Sequence, residues 1–328
     1  MKKIQSYATI LPKEGKDLFL DNFVLIAQQV LVLFILIAVG FACGKAGVIT
    51  AHASKKMTDI VLYVVTPCVM IHAFQREFTF DLLGQVAIAA GIALLILILS
   101  VLLVKLVFHD RDEARKKVLQ FSVVFSNCGF MSLPLQKALL GEEGMFFGSI
   151  FVAIFNVVVW TYGLLDMSGD KKQLSIKRLA INPGILGFVL GMVIFLCGVH
   201  LPVFLAKSVE HLANLNTPLP MLIIGFYLTN AKFKKAFTDP AAYLAMALRL
   251  AVIPIAVLFA LAPFGLDRNM VIAFVIACSA PTAATTTMFS AKFNRDVELS
   301  VSVVAASTLL SIVTMPLVVS LAYTICPA

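Results

Sequence analysis

The fold is decided by the stretch Ser126-Asn127-Cys128-Gly129-Phe130-Met131-Ser132-Leu133-Pro134-Leu135, which places polar, small and proline residues inside an apolar segment. Proline lacks an amide hydrogen and clashes with the carbonyl one helical turn earlier, so it kinks or breaks a helix. In lipid, a broken helix is tolerated only where protein or a water-filled cavity satisfies its backbone. A second interruption of this kind follows at Ser279-Ala280-Pro281-Thr282. The two stretches together predict a pair of broken helices that line one polar site.

Apolar segments of about 20 residues surround these breaks along the chain, and about 20 apolar residues are needed to cross a bilayer as a helix. Of the 328 residues, 60% are hydrophobic and 13% are charged, whereas a typical soluble domain has about 25% charged residues. Helices satisfy their own backbone in lipid, so the pattern predicts an all-α membrane protein with ten transmembrane helices. The predicted spans are 23–43, 57–75, 82–108, 118–140, 145–165, 181–199, 209–229, 241–262, 270–291 and 297–324.

The net charge of +8 does not indicate a nucleic-acid partner, because the Lys and Arg residues cluster in short loops between the apolar segments. Such residues are enriched in cytoplasmic loops and set the topology of a membrane protein. One set of alternate loops carries about twice as many of them as the other set. This asymmetry predicts a multi-pass protein of the cell membrane with both termini outside the cytoplasm. The first apolar segment is predicted to be a retained helix and not a cleaved signal peptide.

Motifs of the first half of the chain recur in the second half at an offset of about 150 residues. Thr66-Pro67 is matched by Thr217-Pro218, and Gly40-x-x-x-Gly44 by Gly187-x-x-x-Gly191; the two breaks form the third match. The matches define two five-helix repeats, 23–165 and 181–324, with a tail over 1–22 and a basic cytoplasmic loop over 166–180. Because five is odd, the second repeat is inserted upside down. Inverted repeats are typical of secondary transporters with a substrate site near the membrane midplane.

The two breaks supply most of the candidate substrate contacts. A helix that restarts after a break presents free N–H groups and a partial positive charge, which favour an anion. Asn127 needs hydrogen-bond partners at this depth, either as a clamp between helices or as a substrate contact. An ordinary kink explains either proline alone, and bonds to the preceding turn explain the hydroxyl groups equally well. The candidate substrate-binding residues are Asn127, Gly129, Pro134, Asn156, Ser279, Pro281, Thr282 and Thr285.

Three charged residues fall within or near the ends of predicted spans: Asp59, Asp166 and Arg249. Side chains in such positions commonly reach the membrane interface, which accounts for all three without a function. If one carboxylate couples transport to protons, Asp59 is the candidate, because it lies two turns before Thr66-Pro67. No cofactor is predicted. The six cysteines show no metal-binding spacing, and proton and sodium coupling both stay open.

The first break resembles helix 4 of the auxin efflux carrier family, and Ser279-Ala280-Pro281-Thr282-Ala283-Ala284 resembles its helix 9. Asn182-Pro183-Gly184, the pair Asn156 and Trp160, and the segment from Phe41 to Ile49 fit the same family pattern. The resemblance covers nearly the whole chain from about Phe23. The segment from Asn127 to Pro134 is its most specific part.

The resemblance implies ten helices in two inverted repeats, a fold related to bile-acid/sodium symporters and NhaA-like transporters. Helices 1, 2, 6 and 7 would form a scaffold. Helices 3–5 and 8–10 would form a transport domain, with helices 4 and 9 crossing at their breaks. The family's helix 4 Asn corresponds to Asn127, and its crossover prolines correspond to Pro281 and to Pro134 or its vicinity. Plant members also carry an acidic residue in helix 3, but none lies between Leu82 and Phe108 here, so their proton coupling is not carried over.

The sequence therefore predicts a secondary active transporter of small organic anions, such as malate, malonate or auxin-like acids. The alternatives are a sodium-coupled organic anion symporter of the bile-acid-transporter type and a passive anion channel. A membrane enzyme is disfavoured, because the sequence has no hydrolase or zinc motif and no pair of membrane-embedded carboxylates. The predicted partners are the lipid bilayer and the organic anion. A monomer and a homodimer are both compatible with the sequence.

Overall fold

The computed structural model describes residues 15–170, 172, 181–229 and 237–326, which form helices without a β-strand among them. The predicted loop over 166–180 lies mostly outside these residues. So does the predicted tail over 1–22, whose described part, 15–22, already belongs to the first helix. In chain order the helices are α1 (Gly15–Lys45), α2 (Ala51–Ala73), α3 (Phe80–Val107), α4 (Glu113–Val124), α5 (Cys128–Ser168), α6 (Pro183–Leu196), α7 (Val203–Asn214), α8 (Pro218–Leu228), α9 (Pro240–Phe264), α10 (Arg268–Ser279), α11 (Thr285–Lys292) and α12 (Val297–Ile325).

Six of the described helices are long and apolar enough to cross a membrane: α1, α2, α3, α5, α9 and α12. The α5 segment consists of two helices that meet at Gly141, where the backbone is not helical (φ 63°, ψ −144°), so it covers parts of two predicted spans. The remaining predicted spans are divided or short: α4, α6, α7 with α8, and α10 with α11. A window of apolar residues does not detect the few non-helical residues that divide a span. The all-α membrane fold is thus confirmed, and the count of ten crossings stays a prediction.

Four turns of π-helix interrupt the described helices: Val61–Val65, Cys128–Ser132, Val159–Gly163 and Leu248–Val252. Three of these turns are followed within two residues by a proline, namely Pro67, Pro134 and Pro254. Proline donates no backbone hydrogen bond, and the wider turn accommodates the missing donor. Pro134 therefore lies near the start of a regular helical stretch, several residues beyond the break itself.

Glycine allows two pairs of helices to approach closely. A Cβ atom on Gly40 of α1 would lie 2.3 Å from the carbonyl oxygen of Leu222 in α8. A Cβ atom on Gly187 of α6 would lie 2.5 Å from the Cα atom of Pro67 in α2. Such backbone contact between apolar helices is typical of small-residue interfaces in membrane proteins. Each helix with a Gly-x-x-x-Gly motif thus packs against the Thr-Pro helix of the other half of the chain.

Ion pairs join the helices at two opposite ends. At one end Arg115 of α4 lies 2.6 Å from Asp239, which precedes α9. At the other end Arg76, which follows α2, lies 2.7 Å from Glu143 of α5. Each pair joins segments that the charge pattern assigns to one side of the membrane.

Candidate functional site

The two interrupted stretches run side by side in extended conformation. Ser126 forms an isolated antiparallel bridge with Thr282. The N–H of Asn127 donates to the carbonyl of Pro281 at 2.7 Å, and the N–H of Ala283 donates to the carbonyl of Phe125 at 2.9 Å. All six residues are buried. The structure thus brings together the two breaks that the sequence identified separately.

Side-chain hydroxyl groups form further hydrogen bonds with backbone groups at the breaks. The Thr282 hydroxyl donates to the carbonyl of Ser122 at 3.0 Å, near the end of α4. The N–H of Thr282 donates to the Ser307 hydroxyl of α12 at 3.2 Å. Buried backbone groups that lack a partner cost free energy, so these bonds explain why two breaks persist inside a membrane protein.

Arg249 lies behind the breaks and was missed as a site residue by the sequence analysis. Its side chain is only 2% exposed, so the interpretation that it reaches the membrane interface is wrong. Nη1 donates to the carbonyl of Val123 at 2.9 Å and contacts that of Val124 at 3.3 Å. Nη2 donates to the carbonyl of Cys278. One guanidinium group therefore binds the last turns of both α4 and α10. The sequence did contain an indication that Arg249 is buried, because it lies eight residues into the predicted helix 241–262.

Two candidate side chains keep unused polar atoms at the breaks. Asn127 is 6% exposed, and its side-chain amide takes part in no side-chain hydrogen bond of the described residues. The Thr285 hydroxyl at the start of α11 is buried and likewise lacks a partner among the described residues. Buried amides and hydroxyls normally have hydrogen-bond partners. The side-chain amide of Asn127 and the hydroxyl of Thr285 are therefore available to a bound molecule.

Gly129 is held by a residue that the sequence analysis did not single out. Asn216, just before α8, is buried and donates from Nδ2 to the carbonyl of Gly129 at 3.2 Å. This bond joins the segment after the first break to the start of the Thr-Pro helix in the second half. Gly129 itself is half-buried.

The other candidates are placed differently. The Ser279 hydroxyl donates to the carbonyl of Ile276, in the preceding turn of its own helix, at 3.0 Å. Asn156 donates to Val152 of its own helix at 2.9 Å and faces Gly184 at the start of α6. Asp59 is 44% exposed and lies 4.0 Å from Lys56. None of these contacts joins Asn156 or Asp59 to the paired extended stretches.

A cavity of about 360 Å³ lies away from the breaks. It opens where α3 ends and α4 begins. Among the residues that line it are Lys105, Lys117, Gln120 and Asp166, and Lys117 pairs with Asp166 at 2.6 Å. No residue of the two extended stretches lines this cavity. The residues through which the two breaks pair are themselves buried.

The segments that contain the breaks carry no acidic side chain. Residues 118–140 and 270–291 contain no Asp or Glu. The helical segments that follow the breaks direct their N-terminal N–H groups and partial positive charge towards this region. Within the described residues, no group of three His, Cys, Asp or Glu side chains is arranged to hold a metal ion. The arrangement fits a small anion that accepts hydrogen bonds.

Comparisons with known proteins identify a family and relatives of this chain. The model of the family described as "Membrane transport protein" matches residues 25–319. An uncharacterized transporter of Methanocaldococcus jannaschii is 24% identical over 302 residues, which cover 88% of this chain and 96% of that protein. An uncharacterized transporter of Methanothermobacter thermautotrophicus is 25% identical over 300 residues, with the same two coverages. The matched region includes every candidate site residue.

Proposed function

Because the chain belongs to the membrane transport protein family, that of the auxin efflux carriers, it is a membrane transporter and not an enzyme, and we propose that it carries small organic anions. The substrate would bind where the two extended stretches pair. Transport would proceed by alternating access, with the site open to one side of the cell membrane at a time. Malate, malonate and auxin-like acids represent the substrate class.

The observation that carries this proposal is the hydrogen-bonded pairing of Asn127 with Pro281. It places two helix restarts beside one another in a region without carboxylates. Helix N-termini bind anions through their free N–H groups and their dipole. Substrate sites of secondary transporters commonly lie at such discontinuous helices. The buried Thr285 hydroxyl, which has no partner among the described residues, and the side-chain amide of Asn127 add hydrogen-bonding capacity at the same place.

An inverted repeat is supported by helix packing. The helix with Gly40 packs against the helix with Leu222, and the helix with Gly187 packs against the helix with Pro67. In each contact the Gly-x-x-x-Gly helix of one half meets the Thr-Pro helix of the other half. A pseudo-two-fold axis that relates the two halves would produce this pair of contacts. Within the proposal, ten crossings form two inverted five-helix repeats, and the helices interrupted at Asn127 and Pro281 cross.

Orientation follows from the charge asymmetry. The end of the molecule that carries Arg115 would face the cytoplasm, and the end that carries Arg76 would face outward. Both termini would then lie outside. No contact among the described residues joins Asp59 to the breaks, so the structure does not favour a coupling ion. Transport under imposed proton gradients and under imposed sodium gradients distinguishes the two candidates.

Counterflow in proteoliposomes tests the proposal. Purified protein is loaded with unlabelled carboxylate, and uptake of labelled malate, malonate or an auxin-like acid is followed with and without imposed proton and sodium gradients. A carrier concentrates the label transiently, whereas a passive channel does not. Absence of counterflow for all these acids, or transport of organic cations with indifference to carboxylates, would overturn the proposal.

A further inference from the structure

Arg249 is a buried cation without a carboxylate partner among the described residues. Its guanidinium group binds backbone carbonyls of Val123, Val124 and Cys278, and its Nε atom has no partner. An ionisable side chain inside a membrane protein is costly, and such residues usually serve a function. The contacts of Arg249 show where its charge acts, namely on the C-terminal ends of α4 and α10.

The helix dipoles explain how Arg249 affects the electrostatic potential at the breaks. Each helix C-terminus carries about −0.5 charge, and each N-terminus carries about +0.5. The two C-termini that Arg249 binds therefore sum to about −1, which its guanidinium group cancels. The two helix restarts beyond the breaks keep their combined charge of about +1. Without the arginine, the positive and negative ends would cancel across the extended stretches.

We propose that Arg249 is the residue that makes the paired breaks selective for carboxylates over uncharged molecules of the same shape. It acts as a positioning and charge-setting residue through the carbonyls of α4 and α10, without touching the substrate. This inference rests on the proposed function, because it names what determines the charge preference of that site.

The neighbourhood of Arg249 offers a way to remove its charge while keeping the side chain. Cys278 is buried, and its backbone carbonyl accepts a hydrogen bond from the guanidinium group, so its side chain starts from a residue that Arg249 already contacts. In Cys278→Asp a carboxylate would neutralise the arginine in place. Cys278→Asn is the matched control, since it has nearly the same shape and no charge.

The test compares malonate with its uncharged diamide, malonamide, as competitors of labelled malonate counterflow. If another carboxylate is the better substrate, it is tested with its own amide. The wild type should prefer the carboxylate. Arg249→Gln and Cys278→Asp should lower this preference about tenfold or more, as expected for unit charges about 10 Å apart at an effective dielectric constant near 20. Arg249→Lys and Cys278→Asn should retain most of the preference.

Melting temperatures of all variants separate this effect from loss of structure. A purely structural arginine would lower stability without changing the ratio of the two competitors. Should Arg249→Gln fail to fold, Cys278→Asp decides, because it keeps the arginine. An unchanged ratio in the folded neutralised variants, or an equal fall in Cys278→Asn, would overturn the inference. Failure of the wild type to carry any carboxylate would instead overturn the proposed function.

Discussion

The backbone N–H of Asn127 donates a 2.7 Å hydrogen bond to the carbonyl oxygen of Pro281, so each broken helix satisfies the backbone of the other. The side chain of Asn127 takes no part in this bond. Substitution of the side chain therefore leaves the pairing of the breaks in place, and the role of the amide can be tested separately from the fold.

Asn127→Ala is expected to weaken substrate affinity about tenfold to a hundredfold, because a hydrogen bond to a charged group contributes about 1.5–3 kcal/mol. Its melting temperature should stay near that of the wild type, since the amide bonds to no described residue. Asn214→Ala, at an exposed residue that bonds to Lys137, is the matched control and should bind normally. Wild-type affinity in Asn127→Ala would remove this residue from the site.

Gly40→Ala is expected to destabilise the protein by about 1–3 kcal/mol, the usual cost of overpacking. The new methyl group would meet the backbone of Leu222 at 2.3 Å, and backbone cannot move aside as a flexible side chain does. Thermal unfolding in detergent measures the effect. Gly84→Ala is the control, because no atom of another described segment lies within 4 Å of its Cβ position. Alanine favours a helix over glycine, so this control should be neutral or slightly stabilising.

Membrane topology can be tested with single cysteines at Glu142 and Glu113 in a background without native cysteines. We expect a membrane-impermeant thiol reagent to label the cysteine at position 142 in intact cells and the one at position 113 only after lysis. Both positions are exposed and lie at opposite ends of the molecule. The reverse pattern would show that the charge asymmetry had been interpreted with the wrong sign.

Acid should weaken a contact at the start of α4. The N–H of Asp112 and the guanidinium group of Arg115 bond to Asp110 at 3.0 and 2.6 Å and hold the pKa of Asp110 below its ordinary value of 3.8. A carboxyl group whose pKa is lowered by folding stabilises the folded state above its unfolded pKa, and this contribution is lost as pH falls through the lowered pKa.

Melting curves of wild type and Asp110→Asn between pH 7 and about pH 3 test this expectation. The variant should melt at a lower temperature at pH 7, and the difference should narrow as the pH drops below about 4. Glu210→Gln, at an exposed acid without a described ion pair, should show no such convergence. A difference that stays constant with pH would contradict the assignment.

Hydropathy and proline positions were sufficient to predict the helical fold and both breaks. They did not fix where the backbone leaves the helix. The non-helical residues of the first break are 125–127, whereas the sequence suggested a break extending to Pro134. The π turn over Cys128–Ser132 accounts for this difference, because it accommodates the proline without ending the helix.

Arg249 was missed for a physical reason. A single arginine in an apolar span fits two situations equally well: a side chain that reaches the interface, and one that is buried against carbonyls. Only the partners distinguish them, and those partners belong to α4 and α10, far away in sequence. Asn216 was missed for the same reason, since its bond to Gly129 leaves no local pattern.

The pairing of the breaks also constrains how the chain is made. Ser122 and Thr282, which bond at the breaks, lie 160 positions apart in sequence. During synthesis the first break enters the bilayer long before the second has left the ribosome. Its carbonyl and amide groups then lack their native partners, and lipid offers none. The first half alone is therefore an incomplete folding unit, and assembly of the two halves is a late step in the biogenesis of this transporter.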